Sequence, residues 1–145
     1  MRQKRKSMEH QRSIMTLVLA GLLALSAGCA SLSPSDRADL QKLEAQGIRI
    51  DAPKGNFQSP NSKAVAGVLN LLPGIGNFYL AVGRGADTSQ VLFGLGNFLM
   101  WPMSIVWGVP EAVIDAGTLN NREMVYHYRF NPEGRRIAEE AGVSF

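Results

Sequence analysis

The pattern of polar and apolar positions divides the chain into an apolar middle and two polar flanks. Residues 64–83 carry no charged side chain and neither do residues 88–110, while the short segment 84–87 between them holds an arginine and an aspartate. Each uncharged arm has about the length of a membrane span, roughly 20 residues. Two apolar arms joined by a short polar turn predict a helical hairpin over residues 64–110.

Polar residues and helix breakers interrupt both arms. Those of the first arm are Gly67, Asn70, Pro73, Gly74, Gly76 and Asn77, and those of the second are Ser89, Gln90, Gly94, Gly96, Asn97, Pro102 and Ser104. In lipid such groups persist only where protein or water satisfies them. A packed hairpin therefore fits better than two lipid-bathed helices. The alternative is two to four shorter helices of a soluble core, broken at Pro73 and Pro102.

The N-terminal flank predicts one short helix. Ser33, followed by Pro34 and by Asp36 three residues after the serine, has the chemistry of a helix start. Gly47 is the expected stop, so that the helix should reach about Gln46. The segment after it is predicted to be a short strand or extended chain, followed by a loop of turn-forming residues.

The C-terminal flank predicts a strand and a final helix. In residues 124–130 the apolar side chains Met124, Tyr126, Tyr128 and Phe130 alternate with Val125, His127 and Arg129, which is the period of a strand with one aromatic face. Asn131 before Pro132 predicts the start of a helix that ends near Gly142. The expected fold class is therefore mainly α, with a small C-terminal strand and helix.

The N-terminus has the pattern of an export signal, whichever of Met1 and Met8 is the start. Residues 1–12 hold five basic side chains and one acid, and residues 14–25 are apolar and uncharged, too few to span a bilayer comfortably. The apolar segment ends at Leu25-Ser26-Ala27-Gly28-Cys29, which contains the one cysteine of the chain. A single cysteine forms no intrachain disulfide, so it needs another role.

This pentapeptide resembles the lipobox of bacterial lipoproteins, with Ser26 at a position where the family usually has leucine. The resemblance implies that a signal peptidase recognises Leu25, Ser26, Ala27 and Gly28 and removes residues 1–28 as the signal peptide. It also implies acylation of Cys29, with palmitate among the expected acyl chains, so that membrane lipid becomes a partner. The family's sorting rule retains at the inner membrane a protein with aspartate after the cysteine; because that residue is Ala30, the rule implies attachment to the cell outer membrane, facing the periplasm.

Removal of the signal changes what the composition means. Residues 1–28 contain five basic residues and one acid, so the formal net charge of +3 for the whole chain becomes −1 for the remaining 117 residues. The basic balance thus belongs to the signal, and a nucleic-acid partner is not expected. The expected organisation is a lipidated tether, helix and loop over residues 29–62, the hairpin over 64–110 and a polar C-terminal segment over 111–145.

Residues 66–108 also resemble the two-transmembrane-segment hairpin domain, through the stretch Leu72-Pro73-Gly74-Ile75-Gly76-Asn77-Phe78-Tyr79-Leu80 and the second apolar arm that follows. The His and Arg that precede the Phe-Tyr pair in that family are absent, as is its charged and aromatic triplet in the turn. The resemblance therefore assigns no functional residue. Small and aromatic residues are the expected packing and interaction positions of the hairpin, namely Gly74, Gly76, Phe78, Tyr79, Trp101 and Trp107. The tryptophans fit either a membrane interface or ordinary core and partner packing.

The remaining sequence contains little catalytic chemistry. Glu111 and Asp115 fall on one face of a predicted helix, where such a pair is usually solvated, and His127 lacks an obvious partner. We therefore expect no enzyme, cofactor or metal site. The expected function is that of an envelope lipoprotein with a structural, assembly or interaction role through its hydrophobic hairpin, with an envelope protein or a second copy as partner. The alternative is a periplasm-facing binding module for a lipid or other small apolar ligand.

Overall fold

The computed structural model describes residues 30–145, which form six helices and, within that range, no strand. This confirms the mainly α fold class. The signal peptide and Cys29 lie outside the described residues. The helices are α1 (Pro34–Ala45), α2 (Lys63–Leu69), α3 (Ile75–Leu80), α4 (Gln90–Leu99), α5 (Ile105–Phe130) and α6 (Pro132–Glu140).

Both flanking helices begin and end where their capping residues predict. At α1 the Ser33 side chain accepts a hydrogen bond from the Asp36 N–H, and Gly47 follows the helix with a positive φ of 73°. At α6 the Asn131 side chain accepts hydrogen bonds from the N–H groups of residues 133 and 134, and Gly142 follows with a φ of 84°. These caps satisfy amide groups that have no partner within their own helix.

The strand predicted for residues 124–130 is wrong, because these residues are the last turns of α5. Tyr128 is fully buried, whereas Tyr126 is 59% and Phe130 58% exposed, so the three aromatic side chains do not share a face. The buried apolar positions of α5 instead recur at helical spacing along its length, as a helix facing a core requires. They are Ala112, Ala116, Leu119, Met124, Val125 and Tyr128.

The two long arms predicted for the hairpin are each broken into two helical pieces. The first arm consists of α2 and α3, with Pro73 in the connection, and the second consists of α4 and the beginning of α5, with Pro102 in the connection. Proline lacks an N–H and clashes with the preceding turn, which explains both breaks. We keep the name hairpin for residues 64–110, now as a packed group of short helices.

α5 joins two separate hydrophobic cores. Its C-terminal half packs with α1, α6 and the segment around Phe57 into a core that includes Leu43, Ile48 and Tyr128. Its N-terminal half packs with α2 and α3 into a small core around Ala66, with Leu80 and Leu119 among its largest members. The core of the hairpin and the core of the flanking helices therefore lie at opposite ends of α5.

Arg122 holds the turn between the two arms beside the middle of α5. Its Nη1 lies 3.2 Å from Asp87 Oδ2, and its Nη2 donates to the carbonyl oxygens of Gly85 and Ala86. Hydrogen bonds from the Ser89 side chain and backbone, together with the guanidinium, hold the pKa of Asp87 below its usual value. The charged turn therefore lies at the level of Arg122, and the arms extend from there toward the N-terminus of α5.

Candidate interaction surface

The two connections of the hairpin form an apolar end of the molecule. The α2–α3 connection meets α5 where the Asn70 side-chain amide donates to the Gly108 carbonyl oxygen, and the α4–α5 connection leads directly into Ile105. We call the exposed apolar side chains at this end the apolar tip: Leu71, Leu72, Leu99, Met100, Trp101, Met103 and Val106. Leu99 and Val106 are each 81% exposed. Large exposed apolar side chains concentrated in two connecting segments indicate a site of protein or membrane interaction.

The outward sides of the hairpin helices are apolar as well. The exposed side chains there are Val65, Val68, Ile75, Val82, Val91, Leu92, Leu95 and Phe98. Five polar side chains of the hairpin are instead buried, namely Asn70, Asn77, Gln90, Asn97 and Ser104, and Asp115 of α5 is buried beside them. The usual distribution, with apolar groups inside and polar groups outside, is therefore inverted around the N-terminal half of α5.

Four of these buried side chains form, together with Trp107, one chain of hydrogen bonds across three helices. Trp107 Nε1 donates to Asn97 Oδ1 at 2.9 Å, and Asn97 Nδ2 donates to Asn77 Oδ1 at 2.9 Å. Asn77 Nδ2 then donates to Gln90 Oε1 at 2.8 Å, and Gln90 Nε2 donates to Asp115 Oδ2 at 2.6 Å. Each of the three helices contributes at least one member, so the network ties α3 and α4 to α5.

The chain of hydrogen bonds has a fixed direction. An indole N–H only donates and an ionised carboxylate only accepts, so Trp107 and Asp115 set the two ends. Every amide between them must turn its oxygen toward Trp107 and its NH₂ group toward Asp115. The network therefore admits one arrangement. Reversing a single amide would place its NH₂ group against a donor on one side and its oxygen against an acceptor on the other.

Asp115 also connects this interior to the beginning of the described chain. Its Oδ1 accepts a hydrogen bond of 2.9 Å from the backbone N–H of Ala30, and its side chain is fully buried. Burial raises the pKa of Asp115, while the hydrogen bonds from Gln90 and Ala30 oppose that shift. Burial and the nearby Asp115 charge also raise the pKa of Glu111. The interpretation of the pair as a solvated face is thus wrong for Asp115.

The small and aromatic positions expected to pack the hairpin lie in different settings. Gly74 and Gly76 are at close backbone approaches: a Cβ on Gly74 would lie 2.1 Å from the Gly94 carbonyl oxygen, and one on Gly76 would lie 2.2 Å from the Ala66 carbonyl oxygen. The Phe78 ring packs against Gly94. These three positions therefore hold the helices of the hairpin close together.

The remaining aromatic positions differ in exposure. The Tyr79 hydroxyl accepts a hydrogen bond from the Ser62 N–H. Trp107 is half-buried at the end of the polar network, whereas Trp101 is 59% exposed on the apolar tip. Leu25, Ser26, Ala27, Gly28 and Cys29 lie outside the described residues.

The polar network itself was not predicted from the sequence, although one signal for it was present. Gln90 and Asn97 are seven residues apart on α4, which places them on the same helix face. A polar pair with that spacing in an otherwise apolar helix indicates an inward polar face. Asn77 and Asp115 join the network only because α3 and α5 pack against α4.

Two cavities lie elsewhere in the described part of the chain. One of about 370 Å³ is lined by Arg84, Glu123 and His127 among other residues, and one of about 340 Å³ is lined by Arg129, Arg135 and neighbours near the C-terminus. Residues of the apolar tip line neither cavity. His127 packs against Phe57 and Tyr128, and burial lowers its pKa.

Residues 30–145 contain neither of two common kinds of site. None of the helices described there is long and apolar enough to cross a membrane. That part of the chain also holds no cluster of three or more side chains suited to binding a metal ion. No protein family, curated protein or solved structure matches the chain.

Proposed function

We propose that this chain is a lipid-anchored envelope protein, attached to the outer membrane through acylated Cys29, with a non-catalytic structural or assembly role. The single observation that carries the interaction role is the inverted hairpin, whose polar groups are satisfied inside while its apolar side chains face outward. A soluble core gains its stability from burying apolar side chains, so this arrangement is suited to an apolar environment outside the protein.

The lipobox resemblance supports the anchor, and the position of Ala30 is consistent with it. Ala30, the residue after Cys29, is held against Asp115 at the base of the hairpin. Acyl chains on Cys29 would then lie beside the same part of the molecule that presents the apolar surface. The alternative, a module that encloses a small apolar ligand, gains no support from the two cavities, since neither is lined by the hairpin's apolar tip.

The proposal is tested in cells with the mature chain carrying Cys29→Ser and exported from a cleavable secretory signal, so that no lipid is attached. It should still sediment with envelope membranes or form oligomers. Leu95→Lys, at an exposed site of α4, should remain folded and protease-resistant but lose this association. Tyr126→Lys, a similarly exposed aromatic site outside the hairpin, is the matched control and should behave like the parent chain. A parent chain that is a soluble monomer would contradict the interaction role.

A further inference from the structure

The distance along α5 from the apolar tip to Asp115 matches the thickness of one lipid leaflet. Nine residues separate Val106, on the apolar tip, from Asp115, and at a rise of about 1.5 Å per residue they span about 14 Å. The hydrocarbon core of a bilayer is about 30 Å thick, so one leaflet contributes about 15 Å. A tip inserted to the bilayer midplane would therefore place Asp115 near the boundary between hydrocarbon and headgroups.

Ala30 lies at that same boundary, because its backbone N–H donates to Asp115 Oδ1 at 2.9 Å. The proposed acyl anchor belongs to the residue that precedes Ala30 in the sequence.

The charged side chains around the hairpin agree with such a boundary. Lys63 approaches α5 at Gly117, and the Arg122–Asp87 ion pair lies higher along the same helix. From Val106 to Arg122 the helix rises about 24 Å, which exceeds the depth of one leaflet's hydrocarbon. These charged groups thus lie at or above the headgroup level, while the tip below them has none.

Glu111 is the one ionisable side chain of α5 between Val106 and Asp115. It is half-buried against the hairpin, and burial raises its pKa, which favours the uncharged acid. An uncharged carboxyl group at this depth is compatible with insertion, because the cost of entering hydrocarbon falls mainly on the ionised form.

From the distance along α5, the position of Ala30 and the charged side chains around the hairpin, we infer that the apolar tip inserts into a single leaflet of a phospholipid bilayer, the same leaflet that receives the acyl chains of Cys29. The occupant of the apolar surface is lipid, and the bond between Ala30 and Asp115 sets the anchor at the height that this insertion requires. Polar groups inside the hairpin satisfy one another, which allows it to enter hydrocarbon without exposing them. This inference rests on the proposed function and names the partner of its interaction surface.

The test uses the mature chain with Cys29→Ser and vesicles of phosphatidylethanolamine and phosphatidylglycerol. The protein should float with the vesicles without any acyl chain. Val106→Lys should lower the partition coefficient about a hundredfold, the effect expected when a cation enters hydrocarbon, while Tyr126→Lys should leave it unchanged. Both sites are exposed, so neither change requires repacking.

Depth is measured by fluorescence quenching of Trp101, taken as the difference between the parent chain and Trp101→Phe, so that Trp107 and its hydrogen bond to Asn97 stay in place. Lipids brominated near the ends of their acyl chains should quench Trp101 more strongly than lipids brominated near the headgroup. A reference chain with Trp101→Phe and Tyr126→Trp, compared with Trp101→Phe alone, should show no additional quenching by either lipid. Tyr126 lies on α5 beyond Arg122, outside the inserted length.

Two results would overturn the inference. One is a chain that stays in the aqueous phase in the presence of vesicles, and the other is a stable oligomer whose Trp101 is not quenched. In either case the proposed function would survive if Cys29 is acylated in cells and the tip associates with an envelope protein. The two claims therefore fail separately.

Discussion

The direction of the buried hydrogen-bond chain gives a sharp prediction about Asp115→Asn. The new amide keeps an oxygen for the Ala30 N–H, but its NH₂ group then faces the NH₂ group of Gln90. If the Gln90 amide turns over, its NH₂ group faces the NH₂ group of Asn77 instead. If Asn77 and Asn97 turn over as well, the Asn97 NH₂ group faces the indole N–H of Trp107. Wherever the conflict falls, one buried group lacks a partner, which costs about 1–3 kcal/mol.

Trp107→Phe leaves a similar defect at the other end of the chain. The Asn97 Oδ1 atom loses the indole N–H that it accepts from at 2.9 Å. One buried acceptor is then unsatisfied, again at about 1–3 kcal/mol, in addition to the packing lost with the smaller ring.

Combined, the two changes should cost much less than their sum. The amide introduced by Asp115→Asn can donate to Gln90 once all three intervening amides reverse, because no indole N–H opposes the reversal at the far end. One group, the Asn97 NH₂, then lacks a partner where the two single variants together lack two. We expect a coupling free energy of about 1–3 kcal/mol in favour of the double variant.

The assay is urea unfolding of the unacylated mature chain in mild detergent, followed by far-UV circular dichroism because one tryptophan is removed. A second cycle pairs Asp115→Asn with Tyr126→Phe, at an exposed site on the same helix, and should be additive within about 0.5 kcal/mol. Additivity of Asp115→Asn with Trp107→Phe, within the same margin, would refute a single directional network.

Three further predictions concern Asp115, Gly74 and Ala30. Burial raises the pKa of Asp115, so the folded state binds more protons than the unfolded state above the ordinary carboxyl pKa; the free-energy advantage of the parent chain over Asp115→Asn should therefore shrink as the pH rises above about 4, and an advantage that grows would reverse the sign assigned to burial. Gly74→Ala should unfold or strongly destabilise the hairpin, because its Cβ would meet the Gly94 carbonyl oxygen, whereas Gly83→Ala, also at positive φ but facing open space, should cost only about 1–2 kcal/mol by denaturation; equal costs would contradict the close approach. Ala30→Asp should move the acylated protein from outer-membrane to inner-membrane fractions of a density gradient, and an unchanged distribution would remove the sorting argument.

The sequence predicted those features that depend on contacts between near neighbours. Ser33 and Asn131 each bond to an amide two or three residues later, so their patterns alone located the starts of α1 and α6. The strand over residues 124–130 failed for a related reason. Seven residues are too few to separate an alternating pattern from a helix. Of the three aromatic side chains only Tyr128 is buried, because α1 and the loop around Phe57 pack on its side of the helix.

The inverted interior could be predicted only in part. The interruption of the arms by polar groups indicated that protein must satisfy them, and the structure pairs Asn77 with Gln90 and Asn97. Which groups pair depends on the breaks at Pro73 and Pro102, since these set how the short helices pack against one another. Asp115 joins the network from outside the predicted hairpin, so no pattern within the arms pointed to it.

The most direct test of the whole account is the mass of the N-terminal peptide of the protein purified from membranes, with labelled palmitate supplied to the cells. The account predicts a mature chain that begins at residue 29, carries a diacylglyceryl group on the Cys29 sulfur and an acyl group on its amine, and loses all label in Cys29→Ala. A chain that retains residues 1–28 with an unmodified Cys29, or label that persists in Cys29→Ala, would contradict it.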